Sequence, residues 1–143
     1  MTDQPHDPYI TAVIDALTAA GLEPTGWWQS DLDGNPYGEG EMLNALLTWD
    51  GGHPAASGRI ADRGMILLWE HPAEAWQFAR RRSGGGNEEP QSVPALPLWA
   101  SPTGVVEIVR QLLSEGPVPT DAHLRWSRHA EMQAAVTAWE DSQ

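Results

Sequence analysis

Apolar residues alternate with polar or small ones most clearly between residues 42 and 49. A spacing of two places one set of side chains on a single face of a strand, so this segment predicts a half-buried strand. A continuous apolar run at residues 66–69 predicts a second strand, buried on both faces. Trp27 and Trp28 predict an earlier strand in which one ring is buried and the other is partly exposed. The alternating set is Leu43, Ala45, Leu47 and Trp49.

A second aromatic run follows the buried strand after a short link. Trp76 and Phe78 are two residues apart, so their rings share one face of the next strand. The link at residues 70–74 contains Pro72 and has the length of a hairpin loop. We therefore expect an antiparallel meander centred on residues 65–80.

Three segments have apolar residues at helical spacing. The first helix is expected at residues 8–20, with Asp7 as its N-cap and Gly21 in the left-handed conformation that ends it. The second is expected at residues 102–115, because a serine and a proline precede its apolar stripe. A looser stripe predicts a third helix at residues 120–139.

Two further segments, both more weakly patterned, could add to these four strands. Residues 55–61 are small and weakly patterned, and we interpret them as a short strand. Residues 92–99 contain two prolines and can form at most an irregular edge strand. The order of elements predicts an α+β two-layer sandwich, with an antiparallel sheet of four or five strands and the first two helices on one face. The other face would carry several tryptophans, so the third helix or a second copy of the chain should cover it, and a homodimer is one possibility.

The 143 residues are enough for one hydrophobic core without disulfides or metal. We expect a compact α+β domain over residues 1–116, with a flexible loop at 81–91, and a C-terminal helical appendage at 117–143. That appendage could dock on the domain, lie against a second subunit or await a partner. The chain has no cysteine, which excludes cysteine-ligated zinc and thiol catalysis.

The N-terminal residues lack the basic and apolar regions of a secretory signal, and no 18 apolar residues run together. We therefore expect a cytoplasmic protein that does not span a membrane. All eight basic residues are arginine. We attribute this bias to GC-rich coding, which is typical of high-GC bacteria.

The formal net charge of −12 is unevenly distributed. Residues 1–58 hold nine acidic residues and no arginine. Such a field repels nucleic-acid phosphates and anionic lipids, so we expect neither nucleic-acid nor membrane binding. It attracts a protein partner with a basic surface, although a solvated, solubilising face is the simpler explanation.

The acidic segment begins like a calcium loop, because Asp31, Asp33 and Asn35 supply oxygens at alternate positions. Pro36 then stands where an EF-hand needs glycine, and Met42 stands where it needs a bidentate glutamate. We therefore predict a solvated loop and no metal site.

Motifs for catalysis are few. The chain has no nucleophile elbow, phosphate-binding loop, dinucleotide fingerprint or zinc-protease motif. His6 falls in a polar tail, and His53 and His71 each precede a proline, so surface or capping roles are expected. Glu70 and His71 could form an acid–base pair, but residues at a hairpin loop usually face solvent. We predict no catalytic or cofactor-binding residues.

Several motifs together resemble a family of small uncharacterised actinobacterial proteins. They are the run from Asp7 to Leu22, the Trp-Trp pair, the leucine-rich strand, a hairpin in which Ala-Trp follows Trp-Glu after four further residues, and the apolar helix that begins Ser-Pro. The resemblance covers residues 7–115. It implies an actinobacterial origin and a compact α+β domain, and it implies no activity.

The preferred hypothesis is a non-enzymatic acidic protein-interaction module of the immunity-protein, chaperone or adaptor type. The alternative is a small hydrolase or ligand-binding enzyme with a site near His71. Partner binding is assigned to the acids of the loop and to three tryptophans, of which the two on the C-terminal segment are expected to be the most exposed. The assigned residues are Trp28, Asp31, Asp33, Glu39, Glu41, Trp126 and Trp139.

Overall fold

The computed structural model describes residues 6–32, 42–71, 75–82, 86–116, 118 and 125–141. Within these residues no helix is long and apolar enough to cross a membrane. The elements in chain order are α1 (Asp7–Ala19), β1 (Gly26–Leu32), β2 (Met42–Trp49), α2 (Gly58–Arg63), β3 (Met65–His71), β4 (Ala75–Arg80), β5 (Gln91–Pro97), α3 (Pro102–Leu113) and α4 (His129–Asp141).

The five strands form one antiparallel sheet in the order β1-β2-β3-β4-β5, so each strand pairs with its neighbour in sequence. The predicted meander and the α+β sandwich are confirmed. The pairing of β4 with β5 shifts register between Ala75 and Gln77. Because β5 carries two prolines, it is the irregular edge strand that its sequence predicts.

One face of the sheet forms the floor of the core. The alternating side chains of β2 are all fully buried, which confirms the predicted buried face. Across the pairing with β3 they meet a second fully buried row, since directly opposite residues share a face. That second row is Met65, Leu67 and Trp69.

Helix α1 packs on this face beside α3 and ends as its sequence predicts. Gly21 has a φ of 78°, and the Leu22 N–H donates to the Leu17 carbonyl over 2.8 Å. This bond folds Leu22 back into the core and satisfies a terminal carbonyl of the helix. The N-cap, however, is His6 rather than Asp7. The reason is that the His6 carbonyl accepts the N–H groups of Tyr9 and Ile10, each over 3.1 Å.

Helix α3 begins at the predicted position. The hydroxyl of Ser101 accepts the N–H of Gly104 over 3.1 Å, which satisfies one of the free donors of the first turn. The helix ends at Leu113, two residues before the predicted end.

The predicted strand at residues 55–61 is wrong, because the segment forms the short helix α2. Strand β2 already pairs on both sides, with β1 and β3, and offers no edge to this segment. Ser57 instead ties it to the end of α3: its N–H donates to the Leu113 carbonyl and its hydroxyl to the Ser114 carbonyl, over 2.9 and 3.0 Å. This short helix then buries Ile60.

The C-terminal helix begins at His129, later than predicted, and residues 119–124 lie outside the described residues. Before it, Arg125 bridges to Ala100, and the Trp126 N–H donates to the Trp99 carbonyl over 2.7 Å. Met132 and Val136 of α4 are buried in the common core. Of the three arrangements considered for this segment, the structure shows docking on the domain.

The expectation that several tryptophans line the uncovered face of the sheet is wrong. Trp69 and Trp76 are fully buried beneath the helices. Helix α4 packs on that same face, since His71, which pairs with Leu43 of the buried row, lies 3.9 Å from Glu140. The rings lie there because the space between the sheet and three helices needs large side chains to fill it.

Candidate functional site

Tyr9 lies at the centre of a buried aromatic cluster. Its hydroxyl donates to the Ala100 carbonyl over 2.6 Å and accepts the Trp76 indole N–H over 3.3 Å. Burial raises the pKa of Tyr9, so the phenol stays protonated. The rings whose centroids lie 5.2 to 6.3 Å from that of Tyr9 are Trp69, Trp76, Trp99 and Trp126.

The indole N–H groups of four buried tryptophans have partners within the protein, and that of Trp76 forms the bond to Tyr9 described above. Trp49 donates to the Leu22 carbonyl, Trp69 to the Leu98 carbonyl and Trp99 to the side chain of Gln133, over 2.9, 2.7 and 2.9 Å. Buried and saturated indoles stabilise a core and offer no polar group to a ligand. These tryptophans therefore serve the packing of the core.

His6 also belongs to this cluster, and its predicted place in a polar tail is wrong. The imidazole is fully buried and stacks on Trp69, with 5.0 Å between ring centroids and an interplanar angle of 8°. The residues around His6 are polar, so only the distant aromatic partner could have revealed its burial.

His71 is buried as well, which corrects its predicted surface or capping role. Glu70 pairs with Asn44 and His71 with Leu43, so these neighbours lie on opposite faces of the sheet and form no acid–base pair. The Nε2 atom of His71 instead lies 3.9 Å from Oε1 of Glu140. Burial lowers the pKa of His71, and the nearby carboxylate of Glu140 opposes that shift.

His53 has the capping role that was expected. Its Nδ1 atom accepts the Ala55 N–H over 3.1 Å, and its Nε2 atom lies 3.2 Å from the Glu23 carbonyl oxygen. The ring thereby ties the turn after β2 to the segment that follows α1.

Trp126 and Trp139 are half-buried and pack against the core, so they are less exposed than expected. Trp126 contacts Tyr9, and the Arg128 guanidinium lies 5.0 Å from its ring. Two hydrogen bonds of 2.9 Å to Glu131 hold that guanidinium. Docking of α4 accounts for the difference.

Trp27 is the large hydrophobic side chain that is exposed among the described residues, at 48%. It belongs to β1, together with Trp28 and Asp31 of the predicted partner-binding set, which pair with Leu46 and Leu43. The structure thus brings one new tryptophan and two predicted residues to one strand. The remaining predicted acids, Asp33, Glu39 and Glu41, lie outside the described residues.

Strand β1 is an edge of the sheet, and it differs from the edge at β5. It pairs with β2 and with no other described strand. The β5 edge is protected against further pairing by Pro94 and Pro97, whereas β1 contains no proline.

A pocket of about 310 Å³ lies near the opposite edge, between β4, β5 and the end of α3. It combines an apolar lining with an arginine and a glutamate. The apolar part comes from Phe78, Val93, Pro94, Leu112 and Val118, and the polar part includes Arg80, Gln91, Ser92 and Glu115.

The charged pair in this pocket joins two residues that are far apart in the sequence. Nε of Arg80 lies 3.6 Å from Oε1 of Glu115, and Cζ of Arg80 lies 5.6 Å from the centroid of the Phe78 ring. The neighbouring Arg81 donates to Asp50 over 2.9 Å. Both arginines therefore pair with acids of their own chain. Neither residue of the pocket pair has a sequence motif that could have identified it.

Within the part of the chain that the structure describes, no three histidine, aspartate or glutamate side chains could hold a metal ion together. Comparisons of the chain with family models, with curated proteins and with solved structures give no match.

Proposed function

We propose that this chain is a non-enzymatic protein-interaction module, of the immunity-protein, chaperone or adaptor type, which binds a partner with a basic surface. One observation carries the proposal: Trp27, exposed at 48%, lies on β1, which is an edge among the described strands and contains no proline. The acidic segment follows that strand directly in the sequence. An aromatic anchor, an open strand edge and a negative field therefore occur together.

The strand edge supplies the means of attachment. An edge strand offers a row of backbone N–H and C=O groups to an extended segment of another chain, which adds to the sheet. In such complexes the backbone bonds contribute affinity, and neighbouring side chains select the partner. Trp27, found in the structure, and Trp28, assigned from the sequence, are the proposed anchors on this strand.

The charge determines which partner is favoured. A second copy of the chain would bring two acidic N-terminal halves together, against a net charge of −12 on each molecule. A basic partner gains from the same field, which steers association over about 8 Å at physiological salt. We therefore favour a basic partner over a homodimer.

The alternative enzyme near His71 has less support. An acid–base pair needs two groups that meet at a reacting atom, and Glu70 and His71 lie on opposite faces of the sheet. His71 lies within the fold against Glu140. This arrangement favours the interaction module over a hydrolase at this position.

The test begins with capture of the partner from a high-GC bacterial lysate and then measures binding kinetics with the purified partner at two salt concentrations. Neutralising Asp31, Asp33, Glu39 and Glu41 to the corresponding amides should slow association and flatten its salt dependence, with little effect on dissociation. Trp27→Ala should mainly speed dissociation, because anchors of this kind contribute about 2 kcal/mol or more.

The matched control neutralises four acids elsewhere, so it changes the net charge by the same amount as the first quadruple variant. These acids are Asp62, Glu88, Glu89 and Asp141. If both quadruple variants associate at the wild-type rate in low salt, the acidic segment is only solubilising. If Trp27→Ala dissociates like the wild type, β1 is not the binding edge.

A further inference from the structure

The pocket between β4, β5 and α3 has a size that suits a small molecule. Its volume of about 310 Å³ falls at the lower end of the usual range of about 300–1,000 Å³ for ligand pockets. Phe78 and Leu112 give it apolar walls, and Gln91 and Ser92 are exposed lining residues. A site with apolar walls and a few polar groups selects ligands that are themselves apolar at one end and polar at the other.

Arg80 is the polar group with unused hydrogen-bonding capacity. Its Nε atom is shielded from solvent and forms no hydrogen bond in the described part of the chain, and at 3.6 Å its contact with Glu115 is an ion pair only. The Nη groups likewise form no hydrogen bond to any described residue, and 40% of the side chain is exposed. The ring of Phe78 lies beside the guanidinium and limits its orientations. A guanidinium held in this way presents two parallel N–H donors, the geometry that a carboxylate accepts.

Glu115 follows α3 directly, and its backbone belongs to the turn that ends the helix: the Glu115 N–H donates to the Leu112 carbonyl and the Gly116 N–H to the Gln111 carbonyl, over 3.2 and 2.8 Å. Glu115 has a φ of 54°, and among the described residues it is the non-glycine residue with positive φ. This conformation costs about 1 kcal/mol or more for a residue with a side chain. Its carboxylate also lies so close to Gly58 that a Cβ atom there would collide with it. The end of α3 and the space at Gly58 thus place this carboxylate beside Arg80.

We infer that this pocket binds a small monocarboxylate with an apolar body. The carboxylate accepts hydrogen bonds from the Nη groups of Arg80, and the body lies against Phe78 and Leu112. Glu115 stays on the Nε side, where it orients the guanidinium and leaves the Nη edge to the ligand.

The charges of the pocket explain the choice of a monocarboxylate. Glu115 offsets the charge of Arg80, so the pair is close to neutral and suits a singly charged ligand better than a phosphate dianion. The strongly acidic chain adds to this discrimination. The apolar walls favour a hydrocarbon body over a bare inorganic anion. The site shares no residue with the β1 edge, so either proposal can fail without the other.

The experiment measures binding to the full chain by calorimetry and by ligand-observed NMR, with phenylacetate as the probe. Phenylacetamide, phenethylamine and inorganic phosphate serve as matched probes that change only the charge or remove the apolar body. We expect saturable binding of phenylacetate, and binding of the amide weaker by about tenfold, because a hydrogen bond to a charged group is lost. Equal binding of the amide, preference for phosphate or the amine, or no saturable binding of any probe would overturn the proposal.

Variants locate the site. Arg80→Gln should weaken phenylacetate binding about tenfold. Arg80→Lys keeps the charge but loses the paired N–H donors of the guanidinium, so its affinity should lie between that of Arg80→Gln and that of the wild type. Arg81→Gln is the matched control, because Arg81 pairs with Asp50 outside the pocket, and it should bind as the wild type does. Ser92→Trp, at an exposed rim position, should block the pocket with the fold intact and keeps the test valid if Arg80→Gln unfolds. Wild-type affinity in Ser92→Trp, or in a folded Arg80→Gln, would place the ligand elsewhere.

Discussion

The imidazole of His6 stacks on the indole of Trp69, with their centroids 5.0 Å apart and their planes 8° from parallel. Since both rings are fully buried, we predict that His6→Ala lowers the free energy of unfolding by about 1–3 kcal/mol. His6→Phe, which keeps a flat ring, should recover part of this loss.

Urea denaturation measures the stability of both His6 variants. The control is His129→Ala, at the half-buried start of α4, with an expected change within about 0.5 kcal/mol. Equal stability of His6→Ala and wild type would show that the stacking is not stabilising.

The hydroxyl of Tyr9 joins two buried groups, the Ala100 carbonyl and the Trp76 indole. Tyr9→Phe keeps the ring but leaves both groups without this partner, so the free energy of unfolding should fall by about 1–3 kcal/mol. A double-mutant cycle with Trp76→Phe separates the two bonds, since the indole donor is then absent in both backgrounds. A coupling energy near zero would mean that the hydroxyl serves Ala100 alone.

The pH dependence of stability should contain a contribution from His71. Burial lowers the pKa of His71 in the folded state below its ordinary value of 6.5. The unfolded chain therefore binds more protons as the solution becomes acidic, and the free energy of unfolding falls as pH drops through about 6.5 towards the lower folded pKa. In His71→Gln the difference in unfolding free energy between pH 7.5 and pH 5 should be smaller than in the wild type.

Glu140 provides the control for this prediction. Its carboxylate favours the charged imidazolium, so Glu140→Gln should lower the pKa of His71 further and make the acid-induced loss larger. When His71→Gln is already present, adding Glu140→Gln should have little further effect on the acid-induced loss of stability. A wild-type pH profile in His71→Gln would contradict the assignment.

The strain at Glu115 can be measured by comparing two variants that both lack the carboxylate. Glu115→Gly should be more stable than Glu115→Ala by about 1 kcal/mol, because glycine adopts a φ of 54° without steric cost. At Ser114, where φ is −87°, the order should reverse, and alanine should be the more stable replacement. Denaturant unfolding of the four variants gives the comparison. Equal stability of the two Glu115 variants would mean that the backbone there carries no strain.

Features that depend on nearby residues could be predicted from the sequence. The alternation in β2 identified its buried face, and Gly21 with Leu22 identified the end of α1, because each pattern acts within a few residues. The antiparallel meander centred on residues 65–80 could also be predicted, because only a few residues separate its two strands in the sequence.

Features that depend on distant residues could not be predicted in this way. The burial of His6 requires Trp69, and the pocket requires Arg80 to meet Glu115. The exposure of Trp27 depends on how far the helices cover the sheet, which no local pattern records. Helix α2 could not be predicted for the same reason, because the hydrogen bond that joins its start to the end of α3 links residues far apart in the sequence.

The hydrogen bond between Tyr9 and Ala100 spans 91 residues, and it has a consequence for how the protein is made. The ribosome releases α1 well before α3, against which α1 packs. At about 5–20 residues per second, α1 waits roughly 5–20 s before this partner exists. The strands, in contrast, can pair one after another as they emerge. The apolar stripe of the first helix is therefore the part of the nascent chain that is longest open to chaperones and to premature association.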